Sequence, residues 1–340
     1  MSEIDSCAIA NACDTDAMAE RIGIDDNGTR TWQAKSRRVS LRRSWSRNWD
    51  LYLLILPAVL FFVIFHYVPM YGAQIAFRNY SPIRGIYDSP WVGLNHFVVF
   101  VSSHRFWLVF RNTITLSLYH LAAGFPIPII LAISLHYCAR IRFKKTVQLI
   151  TYAPHFISVV VLSGMIVQFL SPRYGEITRI IVMLGGQRRN FMGIAEYFPS
   201  IYVWSEVWQR SGWRSIIYLA ALSSVDPSLH EAAVVEGASI PQRVRHIDIP
   251  SILPTAVILL ILNVGQLMQV GFEKVLLLQT PLNLTTSEII QTYVYKVGLL
   301  SAIPNYSYGA AIGLFSSIIS FVLLVSVNAI AKRLGETSLW

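Results

Sequence analysis

The stretch EAAVVEGASIPQRVRHIDIP, residues 231–250, carries five charged side chains and one histidine between two long apolar runs. The Asp-Pro-Ser at 226–228 is typical of a helix start, because Asp or Ser caps free N–H groups and Pro fits the first turn. Gly237 should break that helix, Pro241 should begin a second one, and Pro250 should end it before the next apolar run. The pattern predicts a helix–bend–helix hairpin that docks on a partner. The alternative is a simple connection between two spans.

The chain has 340 residues, of which 54% are hydrophobic and 14% charged, whereas about 25% are charged in soluble domains. Six apolar blocks are each long enough to cross about 30 Å of hydrocarbon as a helix. Because only helices and closed barrels satisfy their backbone polar groups in lipid, the blocks predict an all-α protein with six transmembrane helices. They lie at 51–69, 112–138, 147–170, 201–224, 254–278 and 309–331.

Basic residues cluster before the first block, between the second and third, and after the last. Because positive residues mark the cytoplasmic loops of membrane proteins, both termini and the hairpin should be cytoplasmic. This orientation explains the net charge of +9, and no nucleic-acid partner is expected. We therefore expect a polar basic cytoplasmic segment at 1–48, a six-helix membrane domain at 49–335 with the hairpin at 226–250, and a short tail at 336–340.

Polar side chains inside the spans are candidates for a transport path, because such residues usually face protein or a water-filled cavity. In the fifth block, four of them would lie within an arc of about 120° on one continuous helix: Asn263, Gln266, Gln269 and Glu273. In the fourth block, four more would share one face, including a carboxylate and a guanidinium that can pair at a spacing of four: Glu206, Gln209, Arg210 and Trp213.

The same side chains are also compatible with roles outside a transport path. The polar residues of the fifth block would suit hydrogen bonding to a second membrane subunit, and the tryptophans of the fourth block would suit an interfacial belt. If the substrate is anionic, Arg210 or Arg214 would meet its carboxylates. A glycine and two prolines at 124–128 predict a kink, which either gates the path or shapes the packing.

Motifs for covalent chemistry are absent from the sequence. There is no G-x-x-x-x-G-K-[ST] loop to hold nucleotide phosphates, and the three cysteines and eight histidines have no metal-site spacing. His230-Glu231 starts like a zinc-protease motif but lacks the second histidine four positions on. The sequence therefore predicts that the chain is not an enzyme and binds no metal or cofactor itself.

The hairpin resembles the EAA loop of ABC importer membrane subunits in residue type, spacing and position before the second-to-last span. The matching residues are Glu231, Ala232, Ala233, Gly237, Ile247 and Pro250. The sequence departs from the common pattern at Glu236, Ile240, Pro241 and Val244. Further stretches, at 212–233, 271–283 and 292–299, resemble the maltose-type carbohydrate permeases. The stretch at 52–82 resembles the branch that imports oligosaccharides, including alginate oligosaccharide importers, and the whole resemblance covers about 48–335.

This resemblance implies a type I ABC importer permease architecture, in which the EAA loop is a coupling helix held by an ATPase subunit. It implies import of oligosaccharides, including acidic ones such as alginate fragments, across the bacterial inner membrane. The implied partners are a second homologous permease, two ATPase subunits that bind ATP and Mg²⁺, and an extracytoplasmic sugar-binding protein. The alternative is a proton-coupled secondary sugar transporter that uses Glu206 or Glu273 as its titrating carboxylate.

Overall fold

A computed structural model describes residues 22–24, 30–32 and 49–333 of the chain. These residues fall into two compact units that divide between Pro69 and Met70. Within the first unit, strands β1 (Ile22–Ile24) and β2 (Arg30–Trp32) pair antiparallel, with Ile22 opposite Trp32. This short pair is an exception to the all-α prediction. The rest of the predicted segment 1–48 and the tail at 336–340 lie outside the described residues.

The remaining regular structure in the described ranges is helical. The α-helices are, in chain order, α1 (Trp49–Phe62), α2 (Val68–Met70), α3 (Asn95–Ser102), α4 (His104–Gly124), α5 (Pro126–His136), α6 (Ile141–Tyr152), α7 (Val159–Phe169), α8 (Glu176–Met183), α9 (Phe198–Ser223), α10 (Pro227–Val235), α11 (Ile240–Arg243), α12 (Ile249–Gly265), α13 (Phe272–Leu278), α14 (Leu284–Ser287), α15 (Ile290–Tyr295) and α16 (Tyr306–Arg333). Wider π-turns occupy Val63–Tyr67, Val244–Asp248 and Lys296–Leu300, and 3₁₀ turns occupy Tyr71–Phe77, Ala153–Phe156, Phe191–Gly193 and Ala195–Tyr197.

Helices long and apolar enough to cross a membrane number four among the described residues, and five if one bent pair counts as a span. The four are Trp49–Phe77, His104–His136, Ile240–Gly265 and Tyr306–Arg333. The fourth predicted span exists as the 26-residue helix α9. Three ionisable side chains lie in its middle, so apolarity alone does not identify it as a span: Glu206, Arg210 and Arg214. The count of six therefore stays a prediction.

The third predicted span, at 147–170, is not one straight helix. The helical segments Ile141–Phe156 and Val159–Phe169 meet at an angle of 101°. Pro154 lies in the 3₁₀ turn that ends the first segment. Ser158 caps α7, because its Oγ accepts a hydrogen bond from the Val161 N–H at 3.3 Å. A proline next to a good N-cap ends one helix and begins another.

The fifth predicted span, at 254–278, is also broken. Helix α12 ends at Gly265, and α13 begins only at Phe272. Side chains from other helices satisfy the freed backbone groups: Tyr202 Oη accepts from the Gly271 N–H at 3.1 Å, and Gln291 Nε2 donates to the Met268 carbonyl at 2.8 Å. Such a break is tolerated at membrane depth only where it is buried in protein or lines a cavity.

Helix α9 lies at the centre of the second unit and packs against α4, α5, α6 and α12. Its apolar residues Val203 and Val207 join a buried cluster with Leu116 and Val275. On another side of α9, Gly212 makes the close approach to α6 possible, because a Cβ there would lie 2.0 Å from the Thr151 carbonyl oxygen. At the predicted kink, 124–128, Phe125 separates α4 from α5 but keeps helical backbone angles, and His104–His136 remains one candidate span, so the kink stays a prediction.

Candidate functional site

A cavity of about 280 Å³ lies among α4, α5, α9 and α12, and the break after Gly265 closes part of its wall. Its lining mixes hydroxyl, amide and charged groups with apolar surface. The polar lining residues are Ser117, His120, Tyr202, Glu206, Arg210, Arg214, Tyr218, Asn263, Gln266 and Gln269. A concave site with a few convergent polar groups is the usual form of a small-molecule site.

Glu206 is the centre of the charged groups. Its Oε2 accepts from Lys274 Nζ at 2.9 Å, and its Oε1 contacts Arg210 Nε. Lys274 is almost fully buried, with a relative exposure of 2%. Its Nζ also lies 5.3 Å from the ring centroid of Tyr202, within the range of a cation–π contact. The carboxylate thus compensates one buried cation and holds one that reaches the cavity.

Arg214 and His120 face the same cavity. No carboxylate lies within ion-pair distance of Arg214 in the described part of the chain. The Nε2 atom of His120 is buried and makes no hydrogen bond to any described group. Gly124 gives both side chains room, because a Cβ at this position would lie 3.3 Å from His120 Nε2 and 3.6 Å from Arg214 Nη1. Arg214 is therefore available to a polar ligand, whereas His120 Nε2 is buried without a hydrogen-bond partner among the described groups.

Five of the eight predicted path residues line the cavity: Glu206, Arg210, Asn263, Gln266 and Gln269. For Asn263, Gln266 and Gln269, however, the predicted geometry was wrong. They do not form a stripe on one helix, because Asn263 belongs to α12 whereas Gln266 and Gln269 lie in the break that follows it. The break, and not helical periodicity, brings the two glutamines to the cavity.

The other three predicted residues do not line this cavity, so the predicted path role was wrong here for Gln209 and Trp213, which α9 carries, and for Glu273. Gln209 Nε2 donates to the Ile157 carbonyl at 2.8 Å. Trp213 stacks on His155 with ring centroids 4.6 Å apart. Glu273 is exposed and lies on α13. Gln209 and Trp213 thus meet the bent α6–α7 segment and not the cavity.

Five polar lining residues were not among the eight predicted path residues: Ser117, His120, Tyr202, Arg214 and Tyr218. Of these, Arg214 was expected at the path only if the substrate is anionic. Ser117 and His120 are three apart in an apolar helix, a spacing that places them on one face, so the sequence did hold a signal for them. Tyr202 and Tyr218 gave no such signal, because a tyrosine inside an apolar helix is equally typical of a packed core.

The hairpin at 226–250 has the predicted helix–bend–helix form. Asp226 caps α10 by accepting from the Ser228 N–H at 2.9 Å, and this hydrogen bond holds the pKa of the Asp226 carboxyl below its usual range. Gly237 forms the bend with φ at +76°, a conformation that favours glycine. Ser239 and Gln242 form a capping box at the start of α11.

Pro250 does not end the second helix, contrary to the prediction. The helix continues from Ile240 to Gly265 through the π-turn Val244–Asp248, in which the Ile249 N–H reaches the Val244 carbonyl. A wider turn just before a proline accommodates its ring and its missing N–H. The second arm of the hairpin is therefore continuous with the candidate membrane span Ile240–Gly265.

The hairpin exposes most of the residues that match the EAA pattern. Glu231, Ala232, Gly237 and Pro250 are exposed, whereas Ala233 and Ile247 are partly buried. Apolar side chains beside them are exposed as well: Leu229 (52%), Val234 (53%), Val235 (87%) and Ile240 (51%). An exposed apolar patch with a polar rim marks an interaction surface.

Comparison with known proteins assigns this architecture to a family. Residues 124–336 match the family described as binding-protein-dependent transport system inner membrane component. The polygalacturonan/rhamnogalacturonan transport system permease protein YteP of Bacillus subtilis (strain 168) is 41% identical over 290 residues, which cover 85% of this chain and 90% of that protein.

Solved structures agree with this assignment. A bacterial ABC transporter involved in the import of the acidic polysaccharide alginate has a chain with a TM-score of 0.80 at 38% identity, covering 86% of this chain and 98% of that one. A bacterial alginate ABC transporter in complex with an alginate pentasaccharide-bound periplasmic protein gives 0.81 at 37% identity, with 88% and 99% covered. This chain therefore belongs to the family of binding-protein-dependent transport system inner membrane components, as a bacterial inner-membrane permease subunit of an ABC importer and not an enzyme.

Proposed function

We propose that this permease forms half of the path by which an acidic oligosaccharide enters the cell, and that its EAA hairpin couples the path to a separate ATPase. The cavity carries the first part of the proposal. Its walls hold two arginines, with a buried lysine directly behind them, against a single carboxylate: Arg210, Arg214 and Lys274 against Glu206.

The balance of charge around the cavity favours an anionic ligand. Glu206 is already held between Lys274 and Arg210, so Arg214 has no carboxylate at ion-pair distance in the described chain. In a site screened from water, such a guanidinium is well suited to bind a sugar carboxylate in a bidentate manner. The amides of Asn263, Gln266 and Gln269 would bind hydroxyl groups.

The relatives support the same class of substrate. The solved importers carry alginate, which is described as an acidic polysaccharide, and the Bacillus subtilis relative is named for polygalacturonan, a polymer of a sugar acid. Two polymers of acidic sugars among the similar proteins, together with the excess of cations in the cavity, favour uronic-acid oligosaccharides over neutral ones for this chain.

The exposed hairpin carries the coupling part of the proposal. Its apolar patch and Glu231 would seat in an ATPase subunit that binds ATP and Mg²⁺, and its second arm continues without interruption into the span Ile240–Gly265. Because Asn263 lies near the far end of that span and lines the cavity, ATP-driven movement of the hairpin would reach the substrate directly. A second permease would supply the other half of the path, and a binding protein would deliver the sugar.

The proton-coupled alternative has no support in the comparisons. It needs an isolated titratable carboxylate in the membrane, and Glu206 is instead paired with both Lys274 and Arg210.

Uptake of labelled oligosaccharides by cells that carry the complete transporter tests the substrate class. We expect Arg214→Gln to lower uptake of a uronic-acid oligomer on the order of tenfold or more, the value of one lost charge-assisted hydrogen bond, and to spare residual uptake of a neutral oligomer of equal length. Arg333→Gln, at the exposed end of α16, serves as the control and should change neither. Equal loss for both sugars, or preferred uptake of the neutral sugar by the wild type, would refute the acidic substrate.

A further inference from the structure

A cluster of possible metal ligands lies at the base of the hairpin, remote from the cavity. His136 is the last residue of α5, His230 lies in α10, and Asp248 is the last residue of the π-turn before α12. One ligand atom from each of the three lies within 4.8 Å of the other two. The cluster joins three elements that are far apart in the sequence, so residue spacing gave no signal for it.

The facing atoms of His230 and Asp248 are not joined by a hydrogen bond. His230 Nε2 lies 3.4 Å from Asp248 Oδ1, and neither atom has a hydrogen-bond partner among the described residues. A charge-assisted hydrogen bond would be about 2.7–2.9 Å long. In contrast, two ligand atoms bound to one tetrahedral zinc ion at about 2.0–2.1 Å lie about 3.3–3.4 Å apart. The separation therefore fits two ligands of a shared ion.

The buried carboxylate of Asp248 is the observation that favours a bound cation. This carboxylate is fully buried, and one of its two oxygens makes no hydrogen bond in the described chain. Burying a carboxylate is costly unless each of its oxygens is compensated. Oδ1 points to His230, so a cation between the two would remove this cost.

The second oxygen of Asp248 has the support expected around a metal ligand. Tyr137 Oη donates to Asp248 Oδ2 at 2.6 Å, which fixes the carboxylate with Oδ1 turned to His230. The guanidinium carbon of Arg243 lies 5.3 Å from the Tyr137 ring centroid and keeps this ring in place. Hydrogen bonds of this kind orient the ligands of protein metal sites.

The ligand set selects the class of ion. Two imidazoles and one carboxylate suit zinc and related transition metals, whereas magnesium and calcium prefer oxygen ligands alone. Both histidines are only partly buried, so an ion can enter from the side of the hairpin and keep a water as its fourth ligand. The ligand atoms lie up to 4.8 Å apart, and a separation of that size has to close by about 1.4 Å to reach tetrahedral spacing. The proposal therefore requires the side chains to move closer together when the ion binds.

We propose that His136, His230 and Asp248 form a binding site for a transition-metal ion, best matched by Zn²⁺, that cross-links α5 to both arms of the hairpin. With the ion bound, α10 would be fixed to the end of one span and to the root of another, so the hairpin would no longer move relative to the membrane helices. The consequence for transport rests on the proposed coupling function, whereas the site itself does not.

Metal binding is measured on the purified full-length chain without any transport assay. We expect one Zn²⁺ per chain by calorimetry, the visible absorption of tetrahedral Co²⁺ when cobalt is the probe, and a rise in melting temperature that EDTA reverses. His230→Ala and His136→Ala should each abolish the cobalt absorption. Tyr137→Phe should weaken binding by about 10- to 100-fold, as for other supporting residues. His246→Ala, an exposed histidine on the same hairpin, is the matched control and should bind as the wild type.

The outcomes separate this site from the importer function. Loss of binding in both histidine variants with normal binding by His246→Ala establishes the site, even if uptake proves to be of a neutral sugar. Absence of one-to-one binding by the wild-type chain, or equal loss in the His246 control, overturns it. A histidine variant that does not fold is replaced by His230→Gln, and the EDTA-reversible shift of the wild type does not depend on any variant.

Discussion

Lys274 Nζ lies 2.9 Å from Glu206 Oε2, and this buried ion pair ties α13 to α9 behind the wall of the cavity. The pair is asymmetric, because Glu206 has a second cationic partner in Arg210. In the described chain the salt bridge to Glu206 is the only one that Lys274 makes. The broken span after Gly265 is thus anchored to the central helix by a charge that cannot reach water.

The asymmetry predicts unequal effects of the two single substitutions on stability. Glu206→Gln leaves the buried Lys274 without a carboxylate and should destabilise the folded chain by about 3–5 kcal/mol, the usual cost of a broken buried pair. Lys274→Met should cost less, because Arg210 still compensates Glu206. The double variant should recover part of the loss, since it leaves no unpaired charge at this pair. Denaturation of the purified variants measures all three, and a double variant less stable than Glu206→Gln would contradict the account.

Gly212 predicts a steric effect on the packing of α9 against α6. A Cβ at this position would lie 2.0 Å from the Thr151 carbonyl oxygen, and backbone cannot move aside as a flexible side chain can. Gly212→Ala should therefore sharply lower the melting temperature and the yield of folded protein. Gly164 on α7 is the matched control, because no atom lies within 4 Å of the place that a Cβ would occupy there. Gly164→Ala should be neutral or slightly stabilising, since alanine is favoured over glycine in helices. Equal effects at the two positions would exclude close packing as the cause.

The sequence predicted the helical class and most of the hairpin, because both depend on local rules. Asp226 and Gly237 act where capping and left-handed backbone conformation require their residue types. The sequence did not predict the breaks in the third and fifth spans. Hydropathy reports only how apolar a block is, and the break after Gly265 depends on partners such as Tyr202 and Gln291 that lie far away in the sequence.

The candidate site was also predicted only in part, because some of its contacts are local in the sequence and others come from tertiary packing. Glu206 and Arg210 were found because their pairing is local, at a spacing of four on α9. Lys274 as the other partner of Glu206, and His136 beside Asp248, were not found, because these pairs come from tertiary packing. Gln209 was assigned to the cavity because helical spacing cannot tell which neighbouring helix a side chain meets.

Gly237 predicts an effect on coupling that depends on backbone conformation. Its φ of +76° is strained for most residues, and nothing lies within 4 Å of a Cβ at this position. A substitution there adds strain without a clash. Gly237→Val should distort the bend and reduce the ATP hydrolysis that sugar-loaded binding protein stimulates. Gly237→Asn should keep most of it, because asparagine tolerates this conformation far better than β-branched residues. Equal activity of the two variants in reconstituted vesicles would show that the bend is not needed for coupling.

Glu231 predicts a charge effect on the same coupling step. The side chain is exposed near the start of α10, so reversing its charge should leave the fold intact. Glu231→Lys should separate ATP hydrolysis from sugar uptake by weakening the contact with the ATPase subunit. Glu236→Lys, also exposed and just beyond the end of α10, makes the same change in charge and shows whether the effect is specific to position 231. The measurement is the amount of sugar taken up per ATP hydrolysed in each variant. A normal ratio in Glu231→Lys would show that Glu231 is not part of the docking contact.

The close contacts around Gly124 predict that a side chain added at this position lowers the rate of oligosaccharide uptake. A Cβ here would lie 3.3 Å from His120 Nε2, which is tighter than an ordinary contact, and 3.6 Å from Arg214 Nη1, which is an ordinary contact distance. Gly124→Ala should therefore displace the His120 ring by a few tenths of an ångström and narrow the space beside Arg214. We expect a several-fold lower rate of oligosaccharide uptake with normal amounts of folded protein, and a larger loss for Gly124→Val. Gly313→Ala in α16, which has nothing within 4 Å of its Cβ position, should transport normally. Because the added methyl group removes no charge, unchanged uptake by both Gly124 variants would mean that the sugar does not pass between His120 and Arg214.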